Sequence, residues 1–296
     1  MSRLILVRSD SREEGIGEVL RRVGLDSILE GVGNYVLVKP NFNDAHPYPA
    51  TTSRETLEVL CDILSAKVGR DKLVIGDGSS MYEAGNEVGF TRKVMEKNGV
   101  LTIDVPRHAF FEEEEEVPVK VDGLDEPLYY PRTVVDASKI IYVPVLKVHS
   151  MPAPFTLGLK NTVGATCWRT RRWLHGGDFW KRLIQINLGI KVDLVVVDGS
   201  KMLTSGGPST GTIASSNLYL ASTSRLAVDA VGGAILKHHG AVFKKMGVEF
   251  DNQKVGDFPH IKYAEEFGFG KVGDIKLETN FEDNLTQFIR DELQIN

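Results

Sequence analysis

Lys139-Ile-Ile-Tyr-Val-Pro-Val-Leu-Lys-Val-His149 is an almost unbroken apolar run that closes on a lysine and a histidine. Apolar residues without polar alternation mark a strand covered on both faces, the usual state of a parallel sheet. The run predicts a strand over Lys139–Val145. Shorter runs of the same kind stand at Leu4–Val7, Tyr35–Val38, Lys72–Ile75, Leu101–Val105, Asp193–Val197 and Leu218–Ala221. Helical patterns lie between them. In Ser53–Ala66, residues Leu57, Leu60, Cys61 and Leu64 fall at i, i+3, i+4 and i+7, one apolar stripe with Ser53 placed to cap it. Glu83–Asn98 before Gly99, Trp173–Ile190, and Arg225–His239 before Gly240 read as three more helices. Strand and helix in alternation predict an α/β fold, a mostly parallel sheet flanked by helices.

The chain has 296 residues, enough for one large α/β unit or two smaller ones. Residues 106–135 interrupt the alternation with an acidic run, Glu112–Glu116, then Pro118, Gly123, Pro127 and Pro131. They predict an inserted β excursion between two similar halves, 1–105 and 136–296. A faint internal echo supports the halves. Leu73-Val-Ile-Gly-Asp-Gly-Ser-Ser-Met81 aligns with Leu194-Val-Val-Val-Asp-Gly-Ser-Lys-Met202, and each follows an apolar strand ending in lysine, Lys39 or Lys147.

Composition narrows the function. Forty acidic against 35 basic residues leave a net charge of −5, which argues against a dedicated nucleic-acid binder. Two cysteines, Cys61 and Cys167, are too few for a disulfide framework or a four-thiolate cluster. No run approaches the ~20 apolar residues of a membrane helix, and the apolar stretch before Arg8 is too short for a signal segment. A cytoplasmic protein with no membrane partner is the expectation.

In parallel sheets, ligands sit beyond the carboxyl ends of strands, where loops converge. Polar residues that directly follow apolar runs are therefore the candidates: Lys39 with Asn41, Asp77, Lys147 with His149, and Asp198. Lysines suit an anionic small molecule, His149 suits proton transfer, and Asp77 with Asp198 would suit a divalent metal or a base. The plainer alternatives are strand-end lysines reaching solvent and ordinary Asp-Gly turns. Lys160 and Asn161, between Gly158 and Gly164, offer further donors, and His175 is a second histidine candidate. Trp168-Arg-Thr-Arg-Arg-Trp173 reads as a loop over the site, with nucleic-acid stacking the less favoured use. Cys167 beside these arginines is a candidate activated thiol, and Cys61 a core residue.

Taken together, Val36-Leu-Val-Lys-Pro-Asn41, Ala50-Thr-Thr52, Val74-Ile-Gly-Asp-Gly78, Pro144-Val-Leu-Lys-Val-His149, Leu159-Lys-Asn161 with Gly164, Leu174-His175, Val197-Asp-Gly199, Gly206-Gly-Pro208 with Gly211, and Ala227-Val-Asp-Ala230 stand in a specific order. That set resembles the prokaryotic family called domain of unknown function 362, from about Val36 to Ile235. The resemblance implies no reaction. It adds Asp229 to the substrate-binding candidates, and it implies an association with iron–sulfur chemistry, because many members carry a ferredoxin-like cysteine segment. This chain has no such segment, so an intrinsic ferredoxin-type cluster is not expected, whereas a separate redox protein fits as partner. The leading expectation is an enzyme for an anionic metabolite, with Lys39, Lys160, Asn41, Asn161, His175 and Asp229 binding and His149, Lys147, Asp77 and Asp198 catalytic. The alternative is a non-catalytic ligand-binding or redox-partner protein.

Overall fold

The computed structural model describes residues 1–79, 89–149, 154–245, 248–250 and 252–296. Its strands are β1 (Ser2–Arg8), β2 (Val36–Lys39), β3 (Leu73–Asp77), β4 (Arg107–Phe110), β5 (Glu116–Val119), β6 (Leu128–Pro131), β7 (Lys139–Tyr142), β8 (Val145–Val148), β9 (Phe155–Thr156), β10 (Leu194–Leu203), β11 (Ile213–Ser222), β12 (Lys244–Lys245), β13 (Val248–Glu249) and β14 (Ile275–Thr279). The helices are α1 (Arg12–Val23), α2 (Leu25–Leu29), α3 (Arg54–Val68), α4 (Phe90–Lys97), α5 (Arg132–Val135), α6 (Gly158–Asn161), α7 (Trp168–His175), α8 (Phe179–Leu188), α9 (Arg225–His238), α10 (Pro259–Glu266) and α11 (Asn284–Leu293).

One mixed sheet dominates, in the order β14-β1-β11-β10-β7-β2-β3-β4, with β8 pairing β10 and β9. The β7-β2-β3-β4 pairs are parallel, as is β10 with β7, while β11 runs antiparallel to both β1 and β10. The strands of both sequence halves therefore share a single sheet.

Burial follows the pleat. Val36, Val38, Leu73, Ile75, Leu194 and Val196 face the core under α1, α3 and α4. Leu37, Val74, Ile140, Val195 and Val197 face the opposite core, under α8 and α9. Side chains of a strand alternate between faces, so a strand buried on both reads as a continuous apolar run. Ser53 caps α3 by accepting the Thr56 N–H, and α3 buries Leu57, Leu60, Cys61 and Leu64, the stripe the spacing predicts.

Three sequence expectations are corrected. Leu101–Val105 is a tight turn and extended chain; the strand is β4, six residues later. The excursion is therefore narrower than 106–135, because β4 belongs to the main sheet and only β5 and β6 form a separate hairpin. Trp173–Ile190 is two helices, α7 and α8, parted at Gly176-Gly177, with Asp178 starting the second by accepting the Trp180 and Lys181 N–H groups. The beginning of the predicted helix Glu83–Asn98 lies outside the described residues, and α4 covers the rest.

The chain leaves β2 outward through β3 to β4, then returns to β7 on the other side of β2. This reversal of strand order opens a crevice beyond the carboxyl ends of β2 and β7. Lys39, the last residue of β2, pairs in register with Tyr142, the last of β7.

Candidate functional site

At that crevice Lys39 is 1% exposed. Its three ammonium hydrogens have three acceptors: Asp77 Oδ1 at 2.7 Å, Pro40 O at 2.8 Å and Asn161 Oδ1 at 3.0 Å. Burial pulls the Lys39 pKa below its ordinary value, and Asp77 opposes that pull. Asp77 is equally occupied, since Gly78 N donates to Oδ1 (2.9 Å) and Phe42 N to Oδ2 (2.7 Å). Asn41 Nδ2 donates to Asn161 Oδ1 at 3.3 Å, and Asn41 Oδ1, shielded from solvent, meets no donor among the described residues. Because Asn161 Oδ1 already receives Lys39, only the nitrogen end of Asn41 can face it, so the orphan is the oxygen.

Gly164 shows why the segment needs a glycine. A Cβ there would fall 2.7 Å from Asp77 Oδ1 and 2.8 Å from Lys39 Nζ. Its carbonyl receives the Gly78 N–H (3.1 Å). Arg171 of α7 reinforces this junction by donating to the carbonyls of Ser79, Gly78, Val163 and Thr166 at 2.8–3.1 Å. The basic–aromatic segment is thus a helix whose central arginine staples two backbone turns. Sequence reasoning missed that role, although the sequence did flag the cluster. Arg169 stacks over Tyr129 (4.4 Å).

A small cleft of about 30 Å³ opens on this group, lined among others by Lys39, Asn41, Asn43, Asp77, Lys160 and Gly164. Five predicted residues, Lys39, Asn41, Asp77, Lys160 and Asn161, are brought together here. Lys160 supplies the positive charge at the rim. Its charge, after burial, is the next cause that depresses the pKa of both Lys147 and His175.

The other candidates go elsewhere. Lys147 is buried within β8, where Ala50 O and Pro208 O (2.9 Å) accept its hydrogens. Burial and the charge of Lys160 push its pKa down to about 7, against a weaker pull from Asp44. His149 follows β8 with its main-chain N–H on Pro154 O (2.8 Å). Neither is among the described residues lining the pocket. His175 ends α7 with its ring stacked on Phe179 at 5.6 Å.

Asp198 turns beneath α1 and α3, accepting from Arg12 Nε (2.7 Å), Thr56 Oγ1, Tyr48 Oη (3.0 Å) and Ser200 N (2.9 Å). Burial raises its pKa, but the Thr56 and Ser200 hydrogen bonds and the Arg12 guanidinium outweigh it and leave the carboxyl below the usual range. Three strand spacings separate Asp198 from Asp77, about 14 Å, so the structure does not bring the two aspartates to one cation. Among the described residues no three His, Cys, Asp or Glu side chains are grouped as metal ligands. Asp229 lies inside α9, 1% exposed, and accepts the Leu159 N–H (3.1 Å). It sits behind the residues that line the pocket.

Cys167 is corrected too: burial, with the Glu116 charge next, pushes its thiol up to about 12, the reverse of activation. The acidic run alternates. Glu113 and Glu115 pair outward with Arg92 (2.8 Å) and Arg132 (2.7 Å), while Glu112 and Glu114 turn inward to a second pocket beside Ser79 and Arg171.

Among the described residues no helix is long and apolar enough to cross a membrane. No curated protein matches the chain. A solved structure of the lactate racemase apoprotein from Thermoanaerobacterium thermosaccharolyticum is similar in fold, with a TM-score of 0.51 at 15% identity, over 75% of this chain and 54% of that one. The chain thus spans about half the length of that neighbour. The family model described as a domain of unknown function, DUF362, matches residues 36–234, from the strand that carries Lys39 to the helix that carries Asp229, and the chain belongs to that family.

Proposed function

We propose that this chain is a small-molecule enzyme that takes a small organic anion into the pocket bounded by Lys160, Asn41 and the Lys39–Asp77 pair, and moves a proton on it. The observation that carries this reading is a cationic rim and a buried ion pair meeting in one small cleft at the reversal of strand order. Lys160 holds the anion by charge. Asn41 Oδ1, unpartnered among the described residues, supplies an acceptor for a hydroxyl or amine, once the side chain turns towards the ligand. Lys39 and Asp77 share a hydrogen bond along which a proton can pass, and the lowered Lys39 pKa favours that transfer.

The similar solved structure is named for racemisation of lactate, a small hydroxycarboxylate, and lactate is therefore the first probe. Ligand-observed NMR of L-lactate with the wild-type chain should show binding that Lys160→Gln weakens at least fivefold. No binding at millimolar lactate, or equal binding by the variant, sinks the lactate form of this reading.

A second reading is a binder that never alters its ligand. It is favoured by the saturation of the pair, since Lys39 has three acceptors and Asp77 three donors within the protein. Incubation of bound lactate in D₂O separates the two. Deuterium at the α-carbon supports the enzyme, and its absence beside proven binding supports the binder.

A further inference from the structure

Lys160 and Asn161 ride on α6, a helix of four residues. So short a helix cannot hold its own shape, because the first turn costs more conformational freedom than its hydrogen bonds return. The residue before it, Leu157, has no side chain able to cap it. The support comes from α8 and α9. Asp229 Oδ1 accepts the Leu159 N–H at 3.1 Å, and a Cβ on Gly158 would come within 3.2 Å of the same oxygen. Asn187 of α8 holds the other side: its Nδ2 donates to Leu159 O (3.0 Å), and its Oδ1 accepts from Thr162 Oγ1 (2.7 Å). Arg225, one turn before Asp229 on α9, fixes Asn187 in turn by donating to its Oδ1 (2.6 Å) and its carbonyl (3.0 Å).

We infer that Asp229 is a positioning residue: it fixes the α6 turn from inside the fold, and with it the place of Lys160 and Asn161 at the pocket. The ligand side of this inference rests on the pocket reading above; the positioning side does not. Two features single out a carboxyl in this place. Asp229 makes no ion pair among the described residues, although Arg225 is on its own helix. Its burial is costly, and that cost pushes the carboxyl up to about 8 against the Leu159 and Gly158 N–H groups and the Arg225 charge. Such a group has no place in the core unless its acceptor is needed, and among the described residues the groups it reaches are the two backbone N–H groups that start α6.

The test compares Asp229→Ala, which removes the acceptor, with Asp229→Asn, which keeps an oxygen in place. Backbone hydrogen exchange over 157–161 and trace acetylation of every lysine are read by mass spectrometry. In Asp229→Ala the exchange should rise at least tenfold and the labelling of Lys160 change at least threefold, with Lys254 and Lys276 unchanged. Asp229→Asn should restore both. If Asp229→Ala does not fold, Gly158→Ala replaces it, since the added methyl crowds the same oxygen and should disturb the same residues.

Wild-type exchange and labelling in Asp229→Ala would overturn the inference. So would a uniform change across all lysines, which reports general loosening. Lactate binding read on the same samples keeps the two ideas apart: a wild-type chain that ignores lactate defeats the lactate reading, while the exchange and labelling still decide Asp229.

Discussion

Lys39 Nζ stands 2.7 Å from Asp77 Oδ1 with both side chains at most 2% exposed, and Gly164 is pressed against the pair so closely that no side chain fits. A buried pair of this kind is dear to break and cheap to replace, because removing one partner leaves a desolvated charge. Lys39→Met should therefore cost about 3–5 kcal/mol in urea unfolding. The double variant Lys39→Met with Asp77→Leu should recover part of that loss. If the double variant is as unstable as the sum of its singles, the two charges are not coupled.

Gly164→Ala tests the same junction without touching a charge. The new methyl would overlap the ion pair, and relieving such overlap typically costs about 1–3 kcal/mol. Gly17, beside which a Cβ meets nothing within 4 Å, is the control. Gly17→Ala, in the middle of α1, should be neutral or stabilising by up to about 1 kcal/mol. Equal melting temperatures for the two variants would show that the crowding at Gly164 is absent in solution.

Lys147 occupies the strand-end place on β8 that Lys39 has on β2, yet it is held by two carbonyls and by no carboxylate among the described residues. With its pKa pushed down to about 7 from the ordinary 10.5, the folded chain releases a proton that the unfolded chain keeps across that window. Stability therefore rises with pH between about 7 and 10.5, by up to about 1.4 kcal/mol per unit from this group. The unfolding free energy of the wild type minus that of Lys147→Met should grow by about 2 kcal/mol from pH 7.5 to 9.5. A constant difference would place the ammonium in contact with solvent.

The same two lysines mark what the sequence could and could not carry. Strand-end position was legible, because an apolar run closing on Lys39 or Lys147 is local information. So were the Ser53 cap and the α3 stripe. The internal echo suggested that Lys39 with Asp77 and Lys147 with Asp198 are equivalent pairs, but the sheet order separates them. Asp77 lies beside Lys39, whereas Asp198 is claimed by Arg12 and Thr56 from α1 and α3. Partners so far apart in sequence leave no local trace. The backbone staple of Arg171 and the inward turn of Asp229 were hidden for the same reason, since one read as part of a loop over the site and the other as a pocket ligand. β4 was missed because Arg107-His-Ala-Phe110 is half polar at the sheet edge, where one flank needs no apolar cover.

Both cysteines should behave as inert thiols. Burial pushes Cys61 and Cys167 up to about 12, and each is at most 5% exposed. At pH 8 almost no thiolate is present to attack a reagent. Iodoacetamide should leave both unmodified in the native chain over an hour and label both in 6 M guanidinium. Rapid native labelling of Cys167 alone would revive the activated thiol that its arginine neighbours suggest.

His260 gives the fold an acid weakness. The imidazole is 2% exposed between Phe155 (5.0 Å) and Trp180 (5.7 Å), and neither ring nitrogen has a hydrogen-bond partner among the described residues. Burial pushes its pKa down to about 3 from the ordinary 6.5. Between those values the unfolded chain binds a proton that the folded chain refuses, so stability is complete above pH 6.5 and falls as the solution is acidified. The loss from this residue is about 1.4 kcal/mol per pH unit. His260→Leu, close in volume and free of orphaned nitrogens, should match the wild type or exceed it slightly at pH 7.5. At pH 4.5 it should be more stable by a further 2–3 kcal/mol or so. Urea midpoints at the two pH values decide the matter, because parallel wild-type and variant profiles would mean that the buried ring is not what limits the fold in acid.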